Sequence, residues 1–100
     1  MALGTTKATV ALTTTEIVPE NPGRGSLTIV NDSDEDIYLS EVPIGGAAAA
    51  VMNEGILIKA AGGVWSVARG KVNARLFGGA VNAICLSGGK NVTISELDQR

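Results

Sequence analysis

The sequence predicts an all-β fold, a single-domain β-sandwich, jelly roll or small barrel of about eight short antiparallel strands. Three observations predict it. Val, Ile and Thr supply 26 of the 100 residues, and their branched side chains crowd a helix but sit well on a pleated surface. Apolar and polar residues alternate over several stretches, the mark of a strand with one wet face. Turn residues recur at short intervals, with Gly-Gly pairs at Gly45-Gly46, Gly62-Gly63, Gly78-Gly79 and Gly88-Gly89, where a reversing chain needs positive φ.

Taken in order, strands are expected near residues 7–18, 26–31, 37–41, 55–59, 64–68, 70–77, 80–86 and 91–96. Leu27 and Ile29 alternate with Ser26 and Thr28, Val72, Ala74 and Leu76 with Lys71, Asn73 and Arg75, and Val92 and Ile94 with Thr93 and Ser95. The turn-rich runs Pro19–Gly25 (PENPGRG) and Asn31–Asp36 (NDSDED) separate the early strands. Ala80–Leu86 (AVNAICL) is apolar on both faces apart from Asn82, which is the pattern of a strand covered on both sides by a second sheet or another subunit. Ala47–Glu54 (AAAAVMNE) is the exception: four alanines favour one or two helical turns, while the flanking glycines suit a loop. No linker or true repeat is visible, so residues 1–100 form one domain, with 1–6 and 97–100 as candidate extended arms.

Composition limits the chemistry. There is no histidine, so the usual general base and the commonest metal ligand are both missing. A net charge of -2 and a pI near 4.9 give no electrostatic footprint for a nucleic acid. The longest apolar run, Ala47–Met52, is far short of the roughly 20 residues that span a bilayer, and nothing near Met1 resembles a signal-peptide core. Synthesis in the cytoplasm is expected, with no membrane, cofactor or small-molecule substrate. The lone Cys85 closes no intrachain disulfide.

The motifs that carry chemistry elsewhere are incomplete here. Asp32, Asp34 and Asp36 alternate as in a calcium loop, but that loop needs a Gly after the third Asp, and Ile37 and Tyr38 open a strand instead. A solvated turn is the expected role. Gly23-Arg24-Gly25 lacks the third Gly of a dinucleotide fingerprint, and Gly89-Lys90 lacks the first half of a phosphate loop. The sequons at Asn31 and Asn91 have no secretory signal to make them useful. Cys85 between Ile84 and Leu86 reads as a buried, inert thiol, and no serine has a base beside it. No catalytic, cofactor or metal residue is expected.

A domain of this size hides only about 60–65% of the surface its unfolded chain exposes. With a mean hydropathy of +0.25 and 18% charged residues, some of the remainder is apolar, and such surface marks association. The residues expected at contacts are Trp65 and Val67, then Val81, Ile84 and Leu86 of the Ala80–Leu86 strand. The two ends add Val10 and Leu12 of Thr5–Leu12 and Leu97 of Leu97–Arg100. Arg24, just before the Leu27 strand, either pairs with the acidic turn or reaches a neighbouring subunit. Trp65, the sole tryptophan, serves as core or as an interface anchor.

The order Arg24-x-x-Leu27-x-Ile29-x-Asn31-x-Ser33, Asp36-Ile37-Tyr38-Leu39, Gly55-Ile56-x-Ile58 with Gly62-Gly63, Val81-x-Ala83-Ile84, and Asn91-Val92-x-Ile94-x-Glu96 resembles small virion proteins of tailed bacteriophages. The resemblance covers nearly the whole chain. It implies a β-sandwich or barrel module that decorates or cements the capsid, or attaches to the head vertex or tail. The expected function is that of a non-enzymatic decoration protein that binds the major capsid protein lattice as a homo-oligomer, a trimer being favoured, and stabilises the head of the virion. The alternative is a carbohydrate- or receptor-binding module of a fibre or tail, against which the scarcity of aromatic residues weighs.

Overall fold

The computed structural model describes residues 3–21, 24–42, 46, 49–68 and 79–98. Eight strands are present among them: β1 (Leu3–Val10), β2 (Thr15–Val18), β3 (Arg24–Asn31), β4 (Ile37–Val42), β5 (Ile56–Ile58), β6 (Gly63–Ala68), β7 (Ala80–Cys85) and β8 (Lys90–Asp98). All pairings are antiparallel, and they build two four-stranded sheets of order β1-β8-β3-β6 and β2-β7-β4-β5. The molecule is therefore a β-sandwich and not a closed barrel. Except for β4 and β5, consecutive strands lie in opposite sheets, and the order is that of a jelly roll, two Greek keys wound together.

The core lies between the sheets, where alternation puts it. Leu27 and Ile29 from β3, Val92 and Ile94 from β8, and Val10 from β1 face Ile37 and Leu39 from β4, Ile58 from β5, and Val81, Ala83 and Cys85 from β7. Burying each large aliphatic side chain contributes about 1.5–3 kcal/mol. β7 is central in its sheet and buried along nearly its whole length, Asn82 alone being half-exposed. Its core face meets the other sheet. Over its outer face runs the 49–54 segment, tied by Ala50 N–H donating to Thr14 Oγ1 at 2.8 Å and by Tyr38 Oη donating to Asn53 Oδ1 at 3.1 Å. Cover on both sides thus comes from within the chain.

Several boundaries differ from the sequence reading. The expected strand over 7–18 is two strands, because residues 11–14 carry the chain from one sheet to the other. Of the expected arms, Leu3–Thr6 belong to β1, in register with Leu97–Ile94 of β8, and Leu97 and Asp98 belong to β8, while residues 1, 2, 99 and 100 lie outside the described residues. Described residues 49–54 form an irregular segment closed by a turn from Val51 O to Glu54 N–H, with no helix. The expected strand at 70–77 lies outside the described residues.

Two bulges change the parity of alternation. In β2 the register slips between Glu16 and Val18, so Ile17 and Val18 are both buried although they are adjacent. In β3 it slips between Arg24 and Ser26, where Gly25 is the extra residue. Unbroken alternation would set Arg24 outside with Ser26 and Thr28. The bulge turns it inward instead, to 1% exposure.

Candidate interaction surface

The charged and polar residues singled out by the sequence are fastenings of the sandwich. Arg24 Nε donates to Glu96 Oε2 at 2.7 Å, while its terminal nitrogens donate to the carbonyls of Gly79 and Pro19, both at 3.0 Å. Asn21 Nδ2 reaches the same carboxylate oxygen at 3.3 Å. One buried guanidinium therefore joins β3, β8 and the segments that enter β3 and β7. Arg24 pairs neither with the acidic turn nor with a position open to a second subunit, because its side chain is fully enclosed.

At the opposite end, four connections meet: residues 11–14, 32–36, 59–62 and 86–89. Asn31, fully buried, fastens two of them, the 32–36 turn and the chain leaving β5. Its Nδ2 donates to Glu35 O at 2.7 Å and Ile58 O at 3.0 Å, and its Oδ1 accepts from Ser33 N–H at 2.9 Å. The alternating acids do not converge on a common point. Asp32 accepts from the Thr93 hydroxyl, Asp34 pairs with Lys90 Nζ at 2.7 Å, and Asp36 accepts from Ala60 N–H at 2.8 Å. Glu35 accepts from Ser87 N–H at 2.8 Å and Ser87 Oγ at 2.7 Å. Among the described residues no group of three or more Cys, Asp or Glu could hold a metal ion.

The electrostatics follow these pairs. The hydrogen bond from Lys90, reinforced by its charge, holds the Asp34 carboxyl below its usual range and raises the Lys90 ammonium above its own. Donation from the Ser87 amide, then from its hydroxyl, lowers the Glu35 carboxyl. Cys85 is buried, its Sγ 3.4 Å from the Val10 carbonyl oxygen, in an enclosed position suited to packing and not to nucleophilic attack.

Apolar and hydroxylic groups face solvent beside charged ones such as Lys7, Glu41 and Lys59. Leu12 is 61% and Leu86 71% exposed, on neighbouring connections joined by Cys85 N–H donating to Ala11 O. Register places Thr5, Ser95, Thr28 and Ser66 in one row across the outer face of the first sheet, and Lys7, Thr93, Val30 and Val64 in the next. On the outer face of the second sheet, an open groove of about 410 Å³ is bordered by Thr14, Glu16, Glu20, Ala49, Ala80 and Asn82, with no aromatic ring on its lining.

The contact residues expected from sequence divide accordingly. Leu12 and Leu86 are exposed, each next in sequence to one of the hydrogen-bonded pair Ala11 and Cys85. Trp65 and Val67 are half-buried against the core, opposite Ile29 and Leu27, and Leu97 is half-buried on β8. Val10, Val81, Ile84 and Arg24 are buried within the chain and present no side chain to a partner, because alternation, the Gly25 bulge or the overlying 49–54 segment encloses them. Val64 at 59% and Leu57 at 44% exposure were missed. Each stands between two inward neighbours, Gly63 and Trp65 or Ile56 and Ile58, so strict alternation was the signal. Comparison with protein-family models, curated proteins and solved structures finds no match to the chain.

Proposed function

We propose that this chain is a non-enzymatic structural subunit of a tailed-phage particle, a decoration or cement protein that binds the major capsid protein lattice as a homo-oligomer and stabilises the head. The observation that carries the reading is a division of labour among side chains. The acids of the 32–36 turn, Arg24, Asn31 and Cys85 are engaged in holding two sheets together, while the leucines at 12 and 86 and a hydroxyl-rich sheet face are left outside. Such a surface suits adhesion. Many copies bridging neighbouring capsomers would convert modest single contacts into strong binding through avidity, and binding to the assembled shell alone would stabilise that shell. The resemblance described above supports the same reading, and the jelly-roll order is one that capsid proteins share with lectins and other folds, so it permits the function without specifying it.

The test is co-sedimentation of purified protein with undecorated capsids of the phage whose genome carries the gene. Saturable pelleting, together with a higher disruption temperature of the decorated shell, is the expected result. Protein that stays in the supernatant at all concentrations would overturn the proposal.

A further inference from the structure

The four sheet edges are unlike one another. In the second sheet, β2 has four residues and a bulge, and β5 has three. In the first sheet, β6 has six residues, and β1 has eight, every one of them in register with β8 from Leu3↔Leu97 to Val10↔Lys90 without a bulge. The far side of β1 pairs with no strand among the described residues. It holds no proline, and Lys7 is its one charge. Thr5, Thr6, Lys7 and Thr9 are exposed. Natural sheets shorten, bulge or charge their edges, because a straight run of unpaired N–H and C=O groups is a template for another strand. Here the second sheet shows those devices and β1 has only its single lysine.

We propose that β1 docks against β1 of a second copy, antiparallel about a two-fold axis at Thr6, so that the first sheets of two molecules join into one eight-stranded sheet. The register follows from charge and parity. A two-fold axis normal to the sheet must pair residues of equal parity, so that each face stays continuous. Centring on Lys7 would set that lysine opposite its own copy, and like charges directly opposed are unfavourable. Centring on Thr5 leaves a shorter overlap, residues 3–7. Centring on Thr6 spans residues 3–9, sets Lys7 opposite Thr5 of the second copy and Ala8 opposite Gly4, and opposes no charges. A second copy is the occupant because the strand is compatible with itself in this register, and an isologous pair closes, leaving no repeated contact open. The order is then even, in place of the trimer expected from the sequence. The inference concerns the protein free in solution and does not rest on the capsid reading.

Thr6→Cys provides the test, since the native thiol at Cys85 is buried and residue 6 is exposed. Directly opposed residues of an antiparallel pair have Cα atoms about 4.5–5.5 Å apart, within the range that a disulfide spans. Mild oxidation of T6C is expected to give a disulfide-linked dimer as the main product, whereas K7C, offset to the roughly 7–8 Å diagonal, stays largely monomeric on a non-reducing gel. In a dilution series followed by light scattering, T5K places a lysine opposite Lys7 twice per dimer and raises the dimer Kd about tenfold, and T5E lowers it by a similar factor. Thermal unfolding of each variant confirms an intact fold. Equal cross-linking of T6C and K7C, a monomer at all concentrations, or a ring or filament built by pairing β1 with β6 would each overturn the proposal.

Discussion

Removing the guanidinium at position 24 gives the most informative test of how the sandwich is held. The Arg24 side chain has no exposed surface, and it satisfies the Glu96 carboxylate and the carbonyls of Gly79 and Pro19 at 2.7, 3.0 and 3.0 Å. Arg24→Met keeps much of the volume but strands these acceptors. Breaking a buried ion pair from one side costs about 3–5 kcal/mol. Glu96 retains 26% side-chain exposure, so water can reach it, and the lower half of that range, about 3–4 kcal/mol, is expected for Arg24→Met. Glu96→Gln keeps an acceptor for Arg24 Nε while removing the charge, and about 2–3 kcal/mol is expected from an ionic hydrogen bond lost in part. Made together, the two changes should cost less than their sum by about 1–3 kcal/mol, because each single variant leaves the other partner uncompensated. Urea unfolding followed by the fluorescence of Trp65 measures all three, with m-values testing that the transition remains two-state. A cost under about 1 kcal/mol for Arg24→Met, or additivity within about 0.3 kcal/mol across the cycle, would refute the view that Arg24 is a buried fastening.

Gly55→Ala should cost at least about 2 kcal/mol in the same assay, since residue 55 has φ +88° and an added Cβ would lie 2.5 Å from the Leu39 carbonyl oxygen; a neutral result would contradict the close approach of the two backbones. The pairs at the four-connection end should loosen in acid. The folded-state pKa of Asp34 and Glu35 is lowered, so their contribution is present above the ordinary values of 3.8 and 4.5 and is lost as pH falls through the lower folded values. Lys90 is raised, so its share is present below 10.5 and is lost as pH climbs through the higher folded value. Amide exchange at Ser87 should therefore show protection near neutrality that falls as the pH drops below 4.5 and the Glu35 carboxylate takes up a proton, and Glu35→Gln should reduce it at neutral pH; protection indifferent to both would count against the pairing. Cys85 should react with an aromatic disulfide reagent only once urea opens the fold, at a rate set by unfolding, and rapid native labelling would show that it is not enclosed.

How much of this could be read from residues alone depended on whether the signal was local. The strands expected at 26–31 and 91–96 follow from alternation, and the structure places them, together with the one expected at 37–41, within a few residues of those bounds. The double-sided burial of β7 was also legible, since AVNAIC has only one polar residue, although the cover over its outer face comes from residues 49–54 and not from a subunit. Arg24 was not legible. Its direction depends on a one-residue slip at Gly25 against β8, and its partner, Glu96, lies 72 residues further along the chain. The acidic turn shows the same limit from the other side. Its composition announced a solvated loop, but that each carboxylate has a separate partner in Thr93, Lys90, Ser87 and Ala60 depends on four connections meeting at one end. Val10 and Val81 were assigned to contacts on hydrophobicity, and the sandwich used that hydrophobicity for its own core.

This bears on what the resemblance can mean. Most of the residues that carry it are mechanical in this structure: Leu27, Ile29, Ile37, Leu39, Ile58, Val81, Ala83, Val92 and Ile94 fill the core, and Asn31, Ser33 and Asp36 fasten connections. Arg24 and Glu96, at the two extremes of the pattern, meet each other, and Gly55 and Gly63 stand where a Cβ would strike backbone. A pattern of this kind records what two sheets need in order to close on one another. The residues that face outward, Lys7, Leu12, Val64 and Leu86, are outside it. Stability and association should then separate experimentally. Substitution within the pattern, as at Arg24, lowers the urea midpoint and impairs binding only through loss of folded protein. Leu12→Ser with Leu86→Ser leaves the midpoint within about 0.5 kcal/mol of the parent, as surface changes do, and, on the function proposed above, lowers capsid binding at constant fold. If the two classes of variant moved stability and binding in fixed proportion, the outward residues would be part of the same mechanical set, and the adhesive surface would have to be sought elsewhere on the molecule.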